Sequence, residues 1–217
     1  MEHERLKAFY EDHKEDMPEN ERLRIHRALS WYGRAERSED DKDAAILFFW
    51  IAFNSAYGFE QDFGGKSGEK AVFNEFFEKI IGYDRSDIIY NAIWDKFSDS
   101  IRMLMRNKYI FQPFWHFHNG IVGFENWEER FQKDIARANQ YLVSKNAKKI
   151  LSLLFDRLYV LRNQLVHGGA TWNSSVNRQQ INDGHKILSF MLPKFVEIII
   201  LNPNEDWGKP IFPVVKD

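Results

Sequence analysis

Leu151, Leu154, Leu158, Leu161 and Leu165 recur at steps of three and four residues. Only an α-helix turns that spacing into one continuous apolar stripe, because a strand sends alternate side chains to opposite faces. The stripe predicts a helix over 147–167 packed on a core. It should end at Gly168-Gly169, since a glycine just past the last turn takes the left-handed conformation that closes a helix. The run 44–57 is the second constraint. It is apolar nearly all round, yet Asn54 and Ser55 interrupt it, and it falls short of the roughly 18 residues that suggest a membrane span. It predicts a buried central helix, over 44–59. No stretch alternates convincingly with period two, so the expected fold class is all-α, a helical bundle with additional helices.

Further helices are expected at 19–37, 69–81, 86–106, 126–144 and 176–201, with Pro193 kinking or dividing the last. Asp40, Asp41 and Asp43 precede or open the central helix, where the positive end of the helix dipole favours carboxylates. Gly64-Gly65-Lys66-Ser67 has Glu60 where a phosphate loop needs glycine, and no strand before it, so 64–68 reads as a plain loop. The tail from Asn202, with Pro203, Pro210 and Pro213, should be extended and pack on the body through Trp207, Ile211 and Phe212. No repeat or low-complexity linker divides the 217 residues. One domain is expected, with a helical arm over 1–40, a core bundle over 41–201 and a tail over 202–217.

Cysteine is absent, which excludes a disulfide framework, a thiolate zinc site and a cysteine nucleophile, and fits a cytoplasmic protein. The charged N-terminus lacks the apolar run of a secretory leader. A formal net charge of −2 argues against nucleic-acid binding by the whole molecule, so any such contact must be local. The basic stretches are 102–108 and 130–149. His116 and His118 offer two imidazoles without a third ligand nearby, on an alternation that suits a strand or loop. No metal site is expected. Aromatic packing of Phe114, Trp115, His116 and Phe117 is the preferred reading, beside a stacking surface for single-stranded RNA following Arg102, Arg106 and Lys108. Asn54 reads most simply as a buried amide bonded to neighbouring backbone.

At the end of the leucine helix stand Arg162, Asn163 and His167. Asn163 and His167 are four residues apart, about 40° around a helix, and share one polar face. Arg162 is about 140° from His167, so bringing them together needs the long arginine side chain or a second copy of the helix. A guanidinium can fork onto a phosphate, and an imidazole can take and give a proton near neutral pH. On the residues alone, a terminal histidine capping carbonyls and an arginine in a surface ion pair is the preferred reading. Trp172 and Arg178 follow the double glycine as candidate substrate-binding residues, for a base and a phosphate, or as a loop tucked on the core.

Arg162, Asn163 and His167, near the end of a helix, resemble the signature of the HEPN superfamily. Phe48-Phe49-Trp50-Ile51-Ala52-Phe53-Asn54-Ser55-Ala56-Tyr57 resembles the apolar early helix of many HEPN proteins, and the order of the two segments agrees. The resemblance spans roughly 41–201, with 58–146 unmatched in detail. It implies a helical bundle that dimerises with its motif helices face to face, and a metal-independent endoribonuclease without cofactor. By that likeness His167 acts as general base or acid at the ribose 2′-hydroxyl and the leaving group. Arg162 steadies the phosphate, Asn163 holds either one in place, and the product carries a 2′,3′-cyclic phosphate. The partners expected are RNA, a second copy of the chain, and a cognate antitoxin or regulatory protein restraining a toxin or defence effector. Some members are inactive, so a non-catalytic HEPN module binding a nucleotide or a protein is the alternative, and a helical scaffold with no nucleic-acid role a third.

Overall fold

The computed structural model describes residues 2–58 and 69–213; the proposed loop at 64–68, the far end of the expected 44–59 helix and the last residues of the tail lie outside them. The described residues form ten α-helices and no strand: α1 Glu2–His13, α2 Glu19–Glu36, α3 Lys42–Tyr57, α4 Glu69–Tyr83, α5 Ile88–Asn91, α6 Ser98–Met105, α7 Gln112–His118, α8 Trp127–Val143, α9 Ala147–Val166 and α10 Arg178–Leu201. The chain is all-α. None of its described helices is long and apolar enough to cross a membrane.

α3 is apolar on nearly every side because it has neighbours on nearly every side: α2 and α10 run along it, and α4 and α9 close the remainder. Asp41 caps it, its carboxylate accepting from the Ala44 amide at 3.1 Å. At its centre Trp50 and Phe53 meet Phe73 and Phe77 of α4, Phe155 of α9 and Phe195 of α10, with Phe53 and Phe155 centroids 4.5 Å apart. The leucine stripe of α9 faces this core, where Leu151, Leu154, Leu158 and Leu161 are buried. Leu6 and Tyr10 of α1 and Ile25, Ala28, Leu29 and Tyr32 of α2 join the same cluster, so the residues expected to form an N-terminal arm pack as part of the body. α1 itself is not among the helices that the periodicity predicts.

Three local expectations are revised. The helix foreseen over 86–106 is broken: α5 runs into a π-turn, Ala92–Lys96, before α6 begins. The Asp84 carboxylate caps the Ile88 and Ile89 amides, and the Trp94 indole donates to the Leu142 carbonyl at 2.9 Å. Those anchors set the chain path there. His116 and His118 lie on a helix, α7, rather than a strand or loop. Two residues apart on a helix they point to different faces, so no shared metal chelate follows; His118 packs on Phe114 and His116 on Phe124. Finally, α10 is not divided at Pro193. Proline deprives the carbonyl four residues back of its donor, and the Tyr32 hydroxyl supplies one, donating to the Ser189 carbonyl at 3.2 Å.

Gly184 sets how closely α10 approaches α9. A Cβ there would sit 3.1 Å from Leu161 Cδ2 and 3.2 Å from Leu158 Cδ2. In Gly184→Ala the crowding should offset the roughly 0.5–1 kcal/mol that alanine gains in a helix, leaving stability nearly unchanged. Gly184→Val should lose about 1–3 kcal/mol through overpacking. Denaturant titration of the two variants checks this; a stabilised valine variant would mean the helices are not held this close.

Candidate functional site

The end of α9 is shaped by its cap. Val166 is the last helical residue and His167 the C-cap, its amide bonded to the Asn163 carbonyl at 2.9 Å. Gly168 then takes φ +70°, the left-handed turn expected of it. The Ala170 amide returns to the Gln164 carbonyl at 3.0 Å, so the chain folds back over the helix end. His167 is left exposed, and its ring makes no hydrogen bond to a described residue.

Arg162 and Asn163 are both half-buried. Arg162 Nη1 donates to Asn163 Oδ1 at 2.8 Å. The bond draws the guanidinium around the helix toward the face that Asn163 shares with His167, reducing the 140° offset of an ideal helix. No carboxylate of a described residue lies within ion-pair distance of Arg162. Its charge is therefore held in place by a neutral amide and is not cancelled. Next to Asn163 in the chain, Gln164 Nε2 donates to the Tyr109 carbonyl at 2.5 Å, anchoring the segment before α7 beside the motif.

Trp172 and Arg178 are both tied to the acidic start of α3. The Trp172 indole donates to Asp41 Oδ2 at 3.1 Å while 69% of the residue remains exposed. A ring pinned by its edge with its surface in solvent is suited to stacking. Arg178 Nη2 lies 2.6 Å from Asp43 Oδ2, and Asp43 is buried. The charge of Arg178 is thus offset before any phosphate arrives, so of the two only Trp172 presents itself to a ligand. Asp41 and Asp43 were legible as helix-terminal carboxylates; that they also hold the loop between α9 and α10 was not. Asn54, expected to bond its neighbours, has Oδ1 buried without a hydrogen-bond partner among the described residues.

Exposed apolar side chains stand next to His167 in the chain and along the loop that follows it: Val166 at 48%, Trp172 at 69% and Val176 at 85%. Arg162, Asn163 and His167 lie outside the four main clefts of the described residues. The ingredients present are one exposed imidazole, one amide-held guanidinium and one exposed indole at one end of the bundle. Such a set can transfer a proton and hold an anion, but one copy places it on an open surface. Comparison of the chain with protein-family models, curated proteins and solved structures gives no match.

Proposed function

We propose that this chain is an endoribonuclease of the HEPN type, independent of metal and acting as a homodimer. The observation that carries the reading is the Arg162–Asn163 hydrogen bond beside an exposed His167: an uncancelled cation is pre-oriented next to a group able to move protons. In this reading His167 takes the proton of the ribose 2′-hydroxyl, which attacks the adjacent phosphorus. Arg162 stabilises the charge gathering on the phosphate, and a histidine returns a proton to the departing 5′-oxygen. The products are a 2′,3′-cyclic phosphate and a free 5′-hydroxyl. A two-fold partner supplies the missing walls. Apposing two α9 ends sets Arg162 of one protomer against His167 of the other and covers Val166 and Val176, apolar surface that a monomer leaves in water. Uncontrolled cleavage of RNA harms a cell, which fits a toxin or defence effector restrained by a cognate protein.

The test is incubation of the purified full chain with mixed-sequence RNA in excess EDTA, with end-group analysis of the products. Fragments ending in 2′,3′-cyclic phosphate are expected. Intact RNA after incubation with a folded dimer would overturn the nuclease reading, and a chain that stays monomeric at micromolar concentration would overturn the shared site.

A further inference from the structure

A cleft of about 710 Å³ lies between α8 and α9 with the start of α7 at its mouth. Its α8 wall carries Arg130, Lys133 and Arg137, at steps of three and four residues and hence on one helix face, about 4.5–6 Å apart along the axis. Beneath them Arg157 of α9 is buried against Asp134, Nη2 to Oδ2 at 2.7 Å, and Arg137 reaches the other oxygen of the same carboxylate at 2.8 Å. The Arg157 guanidinium also lies 4.5 Å over the Phe111 ring. Asp134 and Asp156 are the carboxylates of the lining and Glu129 pairs with Lys133 from outside it, so four cations meet three anions. This excess is a local positive field on a chain whose formal charge is −2.

The α9 wall of the cleft leads toward the motif. Asp156 and Val160 of its α9 wall lie on the same helix face as Asn163 and His167, all within about 60° of one another. α8 and α9 are antiparallel, joined through 144–146, and the Asp134–Arg157 pair fixes their register. Moving toward the N-terminus of α8 is therefore moving toward His167. Arg130 stands about one turn nearer to the motif than Asp134, and Arg137 about one turn farther from it.

We propose that the α8–α9 cleft holds the single-stranded RNA leading away from the cut, with its phosphates on Arg130, Lys133 and Arg137 and a base against Tyr159 and Val160. The inference rests on the ribonuclease reading and adds to it the path of the strand. The cleft has the volume of a small-ligand pocket, enough for one or two nucleotides and too small for a duplex. Lys133 is exchangeable, being held only by Glu129 at 2.5 Å on the exposed face of α8, and exposed pairs of this kind contribute little; Arg137 also bonds Asp134 and Arg130 the Gly123 carbonyl, each at 2.8 Å. A phosphate can take the place of Glu129 without breaking the fold.

Binding of a fluorescein-labelled single-stranded RNA decamer, followed by anisotropy against salt on a His167→Ala background, tests the path. Lys133→Gln with Arg137→Gln leaves the buried Asp134–Arg157 pair in place. It should weaken binding at least about tenfold at low salt and make the plot of log affinity against log salt shallower by about 1.4, that is about 0.7 for each phosphate no longer neutralised. Lys7→Gln with Lys186→Gln, the same charge change at exposed positions outside the cleft, should alter neither. If both double variants bind the decamer alike, the cleft is not the path, while cleavage by the intact chain would leave the nuclease reading standing. If binding depends on Lys133 and Arg137 but the intact chain never cuts, the path stands and the nuclease falls. If the His167→Ala chain binds no RNA, the path is overturned.

Discussion

His167→Ala should lower the rate of RNA cleavage by about 10² to 10⁴, the usual contribution of a positioned proton-transfer group. The same change should alter stability by no more than about 0.5 kcal/mol, because the ring is exposed and bonded to nothing described. Chemistry and folding are thus separable at this position. Arg162→Ala should produce a loss of similar order, since it removes the cation held by Asn163. The two variants together interrogate the dimer. If each site takes Arg162 from one protomer and His167 from the other, mixing the inactive chains creates heterodimers with one complete site. At statistical exchange half the dimers are mixed, so about a quarter of the original activity should return. No recovery after verified subunit exchange would place Arg162 and His167 of a single copy in one site.

What the sequence made legible was whatever depends on periodicity. The stripe from Leu151 to Leu165 and the apolar run of α3 specify helices because burial of one face, or of every face, is written in local spacing. The glycine stop after His167 was legible for the same reason, a local backbone requirement met by Gly168 at φ +70°. The break after α5 was not, because it follows from anchors distant in sequence, Trp94 on Leu142 above all. Nor was the continuity of α10, which depends on Tyr32 satisfying a carbonyl 157 residues away. The candidate site divides similarly. Arg162, Asn163 and His167 are neighbours on one helix and could be read together, whereas the pairing of Arg178 with Asp43 is a tertiary event. The cation row on α8 left a signal in the spacing of Arg130, Lys133 and Arg137; its meaning needed the antiparallel register of α9. The tail was expected to dock through three side chains. Trp207 is buried as expected, Ile211 is partly so, and Phe212 is 67% exposed.

The largest effect on stability is expected at Arg24, which explains how that tail is held. The side chain is fully buried, and all five of its donors are used. Nε bonds Glu21 at 3.0 Å, Nη1 the carbonyls of Ala56 and Gly58 at 2.8 and 3.1 Å, and Nη2 those of Trp207 and Gly208 at 2.9 and 2.6 Å. Burial pulls the guanidinium below its ordinary pKa and pushes the Glu21 carboxyl up, so the ion pair alone is a poor source of stability. The value of Arg24 lies in the four carbonyls, which come from the end of α3 and from the tail, three of them in buried hydrogen bonds and that of Gly208 in a part-buried one. Arg24→Met keeps the aliphatic bulk and orphans them together, so the loss should be about 3–5 kcal/mol. For a chain of this size that lowers Tm by roughly 6–20 °C. Arg24→Lys should recover only part, because three donors on one nitrogen cannot reach four separated carbonyls. Arg27 makes a second, outer clamp on the Ile211 and Phe212 carbonyls at 2.9 and 2.7 Å, and being half-exposed it should be worth far less, about 1 kcal/mol. Hydrogen exchange distinguishes tail release from general weakening: in Arg24→Met, protection around Trp207 should collapse well before that of α3 and α9. An Arg24→Met chain that melts with the original Tm would show that the tail is held by Trp207 packing and not by the guanidinium.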